Sequence, residues 1–309
     1  MTVSAGLGIA NFPATNVPSF WRWVRQCEEG GIDSIWQNDR IISSDPQLEC
    51  MSLMAALAGA TRKIKFGMNV ASLGIRDPVI TAKACATIDL LSEGRLLPAF
   101  GVGSALSQDY SATGIPTKGR GQRTSEGLNI ITKLWTEDNF SFNGKYYQLR
   151  DASISPKPVQ RPLPLWVGGS SPQAIERTAL WGTGWQAGIE SPEEVAPVVI
   201  AIKKRSTELK RKIDNDHYGA GFAFRFGSPN EVVYKKYLNS LEKRLRKKAE
   251  GLMVAGDADD ILDLLLKFRS VGIHKFVLRP IAKDGPDLIK QTSDFIKYIV
   301  PKIEHLNNV

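Results

Sequence analysis

The segment Val167-Gly168-Gly169-Ser170-Ser171-Pro172 carries the strongest chemical signal in the chain. Two glycines let a backbone approach an anion closely, two hydroxyls can donate to its oxygens, and the N–H groups opening a following helix would point the same way. The same residues also spell an ordinary strand-to-helix turn with Ser171 as N-cap. The local sequence leaves both readings open. Gly101-Val102-Gly103-Ser104 is a weaker signal of the same kind: its glycines would admit a planar ligand or another backbone, but it lacks the GxGxxG spacing of a dinucleotide fingerprint. Asp39 and Arg40 read either as a functional pair or as a solvated ion pair. Arg123 and Glu126, three apart, read as a functional pair or as simple helix support. Arg120 and Arg123 lie within reach of a phosphate or an acidic substrate. Trp135, Trp166, Trp181 and Trp185 read as core packing.

The elements that must position these residues alternate strand and helix, the pattern of a parallel sheet with right-handed crossovers. Strands are expected at Val3 to Ile9, Ser34 to Gln37, Ile64 to Val70, Leu96 to Gly103, Leu165 to Gly169, Trp185 to Ile189, Gly221 to Phe226 and Lys275 to Leu278. Helices are expected at Val17 to Glu29, Leu48 to Ala60, from Pro78 to near Glu93, and at Arg123 to Trp135, Pro172 to Trp181, Pro192 to Lys212, Pro229 to Lys248, Asp257 to Ser270 and Asp287 to Glu304. Eight strands at this spacing predict a single α/β domain over residues 1–309, a (β/α)8 TIM barrel. Its insertion after strand four, at about residues 104–164, holds a hairpin turn at Asn143 and Gly144 and reads as a substrate-side lid. Barrel chemistry sits on the loops after the strands. That rule selects Asn11, Trp36 to Arg40, Asn69, Ser104, Gly168 to Ser171, Gly188, Arg225 and Arg279.

With 42% hydrophobic and 23% charged residues, the 309-residue chain has ordinary globular composition, which excludes disorder for most of it. Its net charge of +8 favours anionic ligands. Lys203 to Lys212 and Lys235 to Lys248 hold much of that excess, and Tyr234, Leu238, Leu241 and Leu245 form an apolar stripe beneath the second run. Both runs therefore read as solvated helix faces, not as a nucleic-acid surface. Cys27, Cys50 and Cys85 read as buried thiols, and neither they nor His217, His274 and His305 have metal-ligand spacing, so no metal site is expected. No apolar leader or membrane-length run is present, which gives the expectation of a cytoplasmic protein with no membrane partner.

Several segments together resemble the luciferase-like monooxygenase superfamily. They are Asp39; Arg76, Asp77 and Pro78 with Ala82, Lys83, Ala86, Thr87 and Asp89; Leu91 to Arg95 leading to Gly101, Val102 and Gly103; Arg123 and Glu126; Leu134 and Trp135; Phe142 to Tyr147; Pro156 to Pro158 with Gln160 to Pro162; and Trp166 to Ser170 with Gly182 to Trp185. The resemblance implies a cofactor, FMN or coenzyme F420, lying across the barrel mouth. Its phosphate would lie near Gly168 to Ser171 and its polar edge near strands two to four. It also implies a non-proline cis peptide between Asn69 and Val70, backing the ring, and a homodimer.

Arg40, Asn69 and Ser104 are then the catalytic candidates. Asp39, Asn69, Val70, Gly103, Ser104, Gly168, Gly169, Ser170 and Ser171 are the cofactor-binding candidates. Many relatives carry histidine where Arg40 stands, and the F420-dependent sugar-phosphate dehydrogenases carry glutamate where Ser104 stands, so that particular activity is not expected. The preferred expectation is oxygenation of a small organic substrate by reduced FMN, served by a flavin reductase, or hydride transfer from reduced F420. The alternative is a flavin-binding carrier without turnover.

Overall fold

The computed structural model describes residues 2–9 and 16–308. The chain opens with β1 (Ser4–Ile9), α1 (Val17–Glu29), β2 (Ser34–Gln37), α2 (Cys50–Ala60), β3 (Lys65–Met68), β4 (Ala71–Ser72), α3 (Pro78–Leu91), β5 (Leu96–Leu97) and β6 (Ala99–Gly101). It continues through α4 (Gln108–Ala112), α5 (Arg120–Thr136), β7 (Phe140–Asn143), β8 (Gln148–Ala152), β9 (Trp166–Gly168), α6 (Pro172–Trp181), β10 (Gly184–Gln186) and α7 (Pro192–Glu208). The last third contains β11 (Tyr218–Ala220), β12 (Ala223–Phe226), α8 (Val232–Leu245), β13 (Met253–Gly256), α9 (Ala258–Ser270), β14 (Lys275–Pro280), α10 (Gly285–Tyr298) and α11 (Val300–Asn308). The expected alternation is found, with α1 and α6 at their predicted bounds.

Two compact units are formed. One comprises Met1–Trp36, Ala187–Ala201 and Asp214–Val309, the other Gln37–Gln186 and Ile202–Ile213.

In the first unit β14 pairs in parallel with β1, β11 and β12, and β12 pairs with β13. The interior residues of these strands are mostly apolar, as expected of a sheet covered on both faces, and Arg225 of β12 is buried among them. β13 was not foreseen, because four residues between a charged helix and a capped one carry little periodicity. Its neighbour α9 starts where Asp257 and Asp260 form a reciprocal capping box. The single helix expected over Asp287 to Glu304 is instead α10 and α11, separated at Ile299. Pro301 explains the break, since it lacks the N–H that would continue the ladder. The stripe on α8 behaves as expected: Tyr234 and Leu241 are buried, and Leu238 and Leu245 pack against the same cluster.

In the second unit β3 pairs with β5, and β4, β6, β9 and β10 form a parallel run. The 104–164 segment supplies α4, which was not foreseen, α5, and the expected antiparallel hairpin of β7 and β8, with Asn143 opposite Gln148. Buried Asp89 anchors the end of this segment by accepting from the backbone N–H groups of Val159 (2.8 Å) and Gln160 (3.0 Å). Trp135, Trp166 and Trp185 are buried core residues, and Trp181 is half-buried. Cys27, Cys50 and Cys85 are buried free thiols.

Candidate functional site

Within the second unit, the loops after β2, β3 and β6 meet around a cavity of about 190 Å³. Asp39, Arg40, Asn69, Val70, Gly103 and Ser104 all line it, together with Asn38, Ser72, Ser107, Asp109 and Tyr110. The three catalytic candidates and three further binding candidates, Asp39, Val70 and Gly103, thus reach one place, although they are scattered along the chain from Asp39 to Ser104. The Asn69–Val70 peptide is cis, at the predicted position. The Asn69 N–H donates to Gln37 O at 2.8 Å and so ties this corner to the end of β2.

Asp39 does not pair with Arg40. Its side chain is 2% exposed; Oδ1 accepts from Arg76 Nη2 at 2.7 Å and Oδ2 accepts from the Ser72 N–H at 2.8 Å. The carboxylate is therefore a buried brace between the loop after β2 and the strand after the cis peptide. Arg40 is exposed, and its Nη1 donates to Ser107 Oγ at 3.1 Å. What holds the Arg40 loop in place is Asp109, whose Oδ1 accepts from the N–H groups of Ile41 (3.1 Å) and Ile42 (2.8 Å). Asp109 was missed because its role depends on a loop 67 residues away; the local sign was only Ser107 capping α4.

Asp39, Glu49 and Cys50 bring metal-ligand atom types within 4.8 Å of one another. A cation is already supplied there: Arg76 Nη2 lies 2.7 Å from Asp39 Oδ1 and 3.1 Å from Glu49 Oε1. Burial pushes the Cys50 thiol well up, and the adjacent Asp39 charge adds to this, so Cys50 serves as a thiol donor to Asp39. For Glu49 burial acts upward, but hydrogen bonds from Ser52 and Met51 and the Arg76 charge outweigh it and hold the carboxyl low.

Around the glycine-serine turn the absence of Cβ atoms gives room to a neighbouring side chain. A Cβ on Gly168 would lie 2.7 Å from Val70 Cγ2, and one on Gly101 would lie 2.8 Å from the same atom. Both glycines make room for the side chain of Val70. The Gly169 N–H is used as well, donating to Gln186 O at 3.2 Å, while Gly169 O accepts from Trp185 Nε1 at 2.8 Å. Ser171 is the N-cap of α6 and accepts from the Ala174 N–H. The turn does not line the cavity; it touches it through Val70.

Gly168→Ala should therefore cost about 1–3 kcal/mol by overpacking. Urea unfolding should show much of the loss recovered in Gly168→Ala/Val70→Ala. No recovery would mean that Val70 is not what excludes the methyl group.

The remaining candidates separate cleanly. Glu126 accepts from the hairpin N–H groups of Lys145 (3.1 Å) and Tyr146 (2.8 Å), while Arg123 donates to Pro116 O at 3.1 Å and lies 4.6 Å from the Tyr146 ring centre. They brace the hairpin instead of pairing with each other. Arg225 is committed to Glu231 and Asp287, Arg279 donates to Tyr237 Oη at 3.2 Å, and the Gly188 N–H donates to Glu190. Trp36 is fully buried in the first unit, and Asn11 lies outside the described residues. Tyr110, the cavity's aromatic wall, is buried and donates to Val102 O at 2.5 Å.

The luciferase-like monooxygenase family model matches residues 8–261. The chain belongs to that family. Its luciferase-like relatives include the F420-dependent glucose-6-phosphate dehydrogenase of Amycolatopsis mediterranei (strain U-32), 26% identical over 313 residues, covering 91% of this chain and 93% of that one. The FMNH(2)-dependent dimethylsulfone monooxygenase of Pseudomonas putida is 37% identical over 134 residues, 41% of this chain and 36% of that one. Among solved structures, an F420-dependent secondary alcohol dehydrogenase in complex with an F420-acetone adduct superposes with a TM-score of 0.83 at 19% identity, covering 98% of this chain and 99% of that chain. That likeness shows the fold, the α/β TIM-barrel fold of the luciferase-like enzymes.

Proposed function

We propose that the protein is an oxidoreductase that uses FMN or coenzyme F420 on a small organic substrate. The observation that carries this reading is the meeting of Arg40, Asn69, Val70, Gly103 and Ser104 around one cavity in a member of this family. The lining fits such a cofactor: it has an apolar face at Val70, an amide at Asn69, hydroxyls at Ser72, Ser104 and Ser107, and a cation at Arg40. When bound, the cofactor supplies the redox chemistry, and the protein orients the ring and limits water. The Arg40 guanidinium favours a reduced, anionic ring electrostatically.

The finer part of the proposal is oxygenation with reduced FMN. Removing hydride from an alcohol calls for a base at its hydroxyl. The two cavity carboxylates are already committed, Asp39 to Arg76 and Ser72 and Asp109 to Ile41 and Ile42. No histidine lines the cavity among the described residues. A flavin reductase supplying the reduced cofactor, homodimeric assembly and a cytoplasmic location belong to the same proposal. Among the described residues no helix is long and apolar enough to cross a membrane.

The test is cofactor capture from a host that makes both flavins, followed by oxygen uptake with a flavin reductase and, separately, F420H2 oxidation over a substrate panel. Binding without turnover in either assay would support a carrier, and no binding of either cofactor would end the reading. In the active assay Arg40→Ala should lower kcat on the order of 10-fold, less than the ~10²–10³ of a buried oxyanion donor because Arg40 is exposed. The pH profile should be unchanged.

A further inference from the structure

Where the loop after β2 meets the loop after β6, three side chains that line the cavity have protons to donate and no protein acceptor for them. Ser107 Oγ already accepts twice, from Arg40 Nη1 at 3.1 Å and from the Asp109 N–H at 3.2 Å. A serine hydroxyl has two acceptor positions and one proton, so only the proton is left to Ser107. Among the described residues no protein acceptor takes it. Ser104 Oγ accepts from the Leu106 N–H at 3.2 Å and likewise keeps its proton. A guanidinium has donors alone. Among the described residues the bond to Ser107 is the one hydrogen bond that Arg40 makes, and no carboxylate lies within ion-pair reach of it.

The two carboxylates of the cavity do not supply the missing acceptor. Asp39 is paired with Arg76, and Asp109, 4% exposed, accepts from the Ile41 and Ile42 N–H groups. A guanidinium and two hydroxyl protons facing a cavity select a ligand that brings acceptors. An ionised acceptor is preferred, because charge-assisted bonds are about twice as strong as neutral ones. An ammonium group finds no counterpart among these three residues.

The same corner is apolar on its outer side. Ile41 and Ile42 follow Arg40 and are each 42% exposed, and Leu106, which precedes Ser107, is 95% exposed. Aliphatic side chains left in water gain free energy when they are covered. One molecule answers both features when it carries an anionic head for the donors and a hydrocarbon chain for the rim.

We infer that the substrate is an aliphatic oxyanion, a carboxylate or a sulfonate, with its head held by Arg40, Ser104 and Ser107 and its chain lying on Ile41, Ile42 and Leu106. The inference rests on the functional reading above for calling this ligand the substrate; the recognition depends on the cavity rim alone.

The experiment is calorimetric titration of the full chain, at constant ionic strength, with octanoate, octane-1-sulfonate, octan-1-ol and octylamine. At least one of the two anions should bind about tenfold more tightly than the alcohol, the difference one hydrogen-bonded charge makes, and octylamine should bind no better than the alcohol. Arg40→Met, a change at an exposed position, should abolish the preference for the anion and leave the alcohol within twofold. Hexanoate should bind more weakly than octanoate by roughly twofold per methylene, as expected for partial cover of the chain, and Leu106→Ser should reduce that increment.

No binding of either anion would overturn the inference, as would equal binding of alcohol and anion or an anion preference that survives Arg40→Met. Affinity independent of chain length would remove the aliphatic tail from it. The titrations are repeated on protein saturated with whichever of FMN and F420 it binds. Retention of the anion there supports a substrate site, and its exclusion would overturn the inference by giving the donors to the cofactor. Binding of an anion that depends on Arg40, in a protein that takes neither FMN nor F420, would sustain the recognition while removing the proposed function.

Discussion

Asp39→Ala should destabilise the protein by about 3 kcal/mol, the lower end of the ~3–5 kcal/mol expected when one partner of a buried ion pair is removed. The lower end applies because Arg76 keeps Glu49 at 3.1 Å and is itself 15% exposed. The substitution also releases the Ser72 N–H, and with it the strand that follows the cis peptide. Cofactor affinity should therefore fall together with the urea midpoint. Asp39→Asn separates the two effects. Its amide oxygen can still accept from Ser72 but brings no charge to Arg76, so stability should fall while the cavity keeps its shape. Equal losses of affinity in both variants would show that the Ser72 bond does not position the site.

The second large effect belongs to the first unit. Arg225 is buried between Asp287, 2.8 Å from Nη1, and Glu231, 2.6 Å from Nη2. Asp287→Ala removes the partner that is 6% exposed and leaves the one that is 37% exposed. A loss of about 3–5 kcal/mol is expected, measured by urea unfolding.

The same network sets a pH dependence. Burial alone would raise the Asp287 carboxyl, but the Lys283 N–H and the Arg225 guanidinium outweigh it and hold it below the ordinary value; for Glu231 the hydrogen bond from Arg225 does so first. With folded pKa values below unfolded ones, this contribution is fully present above the ordinary carboxylate range near pH 4. It disappears as pH falls through the lower folded values. Stability measured from pH 6 downward should fall on that limb, and Asp287→Ala should flatten it. An acid limb of unchanged steepness in the variant would place the linkage elsewhere.

The local pattern was most legible where one residue type has one physical use. Pro78 and Pro172 in first turns, the cap at Ser171 and the Asn143-Gly144 turn each predict their element from a few neighbours. β13 and α4 escaped because four or five residues carry too little periodicity to stand out. The candidate site was legible through Arg40, Asn69 and Ser104, which follow strands. It was not legible through Asp109 and Tyr110, which reach it from a short helix inside the insertion.

Family membership and the alternation of strand and helix were determined by the sequence itself, since they depend on residue order and on short-range backbone preference, and the position of the cis peptide followed from the family resemblance. Partner choice was decided only in three dimensions. Asp39 next to Arg40 pairs instead with Arg76, 37 positions away, and Gly101 and Gly168 both make room for one valine at position 70. Burial explains the difference. A charge or a methyl group inside a packed unit must find its complement among whatever the fold brings within a few ångströms, and adjacency along the chain has no hold on that choice.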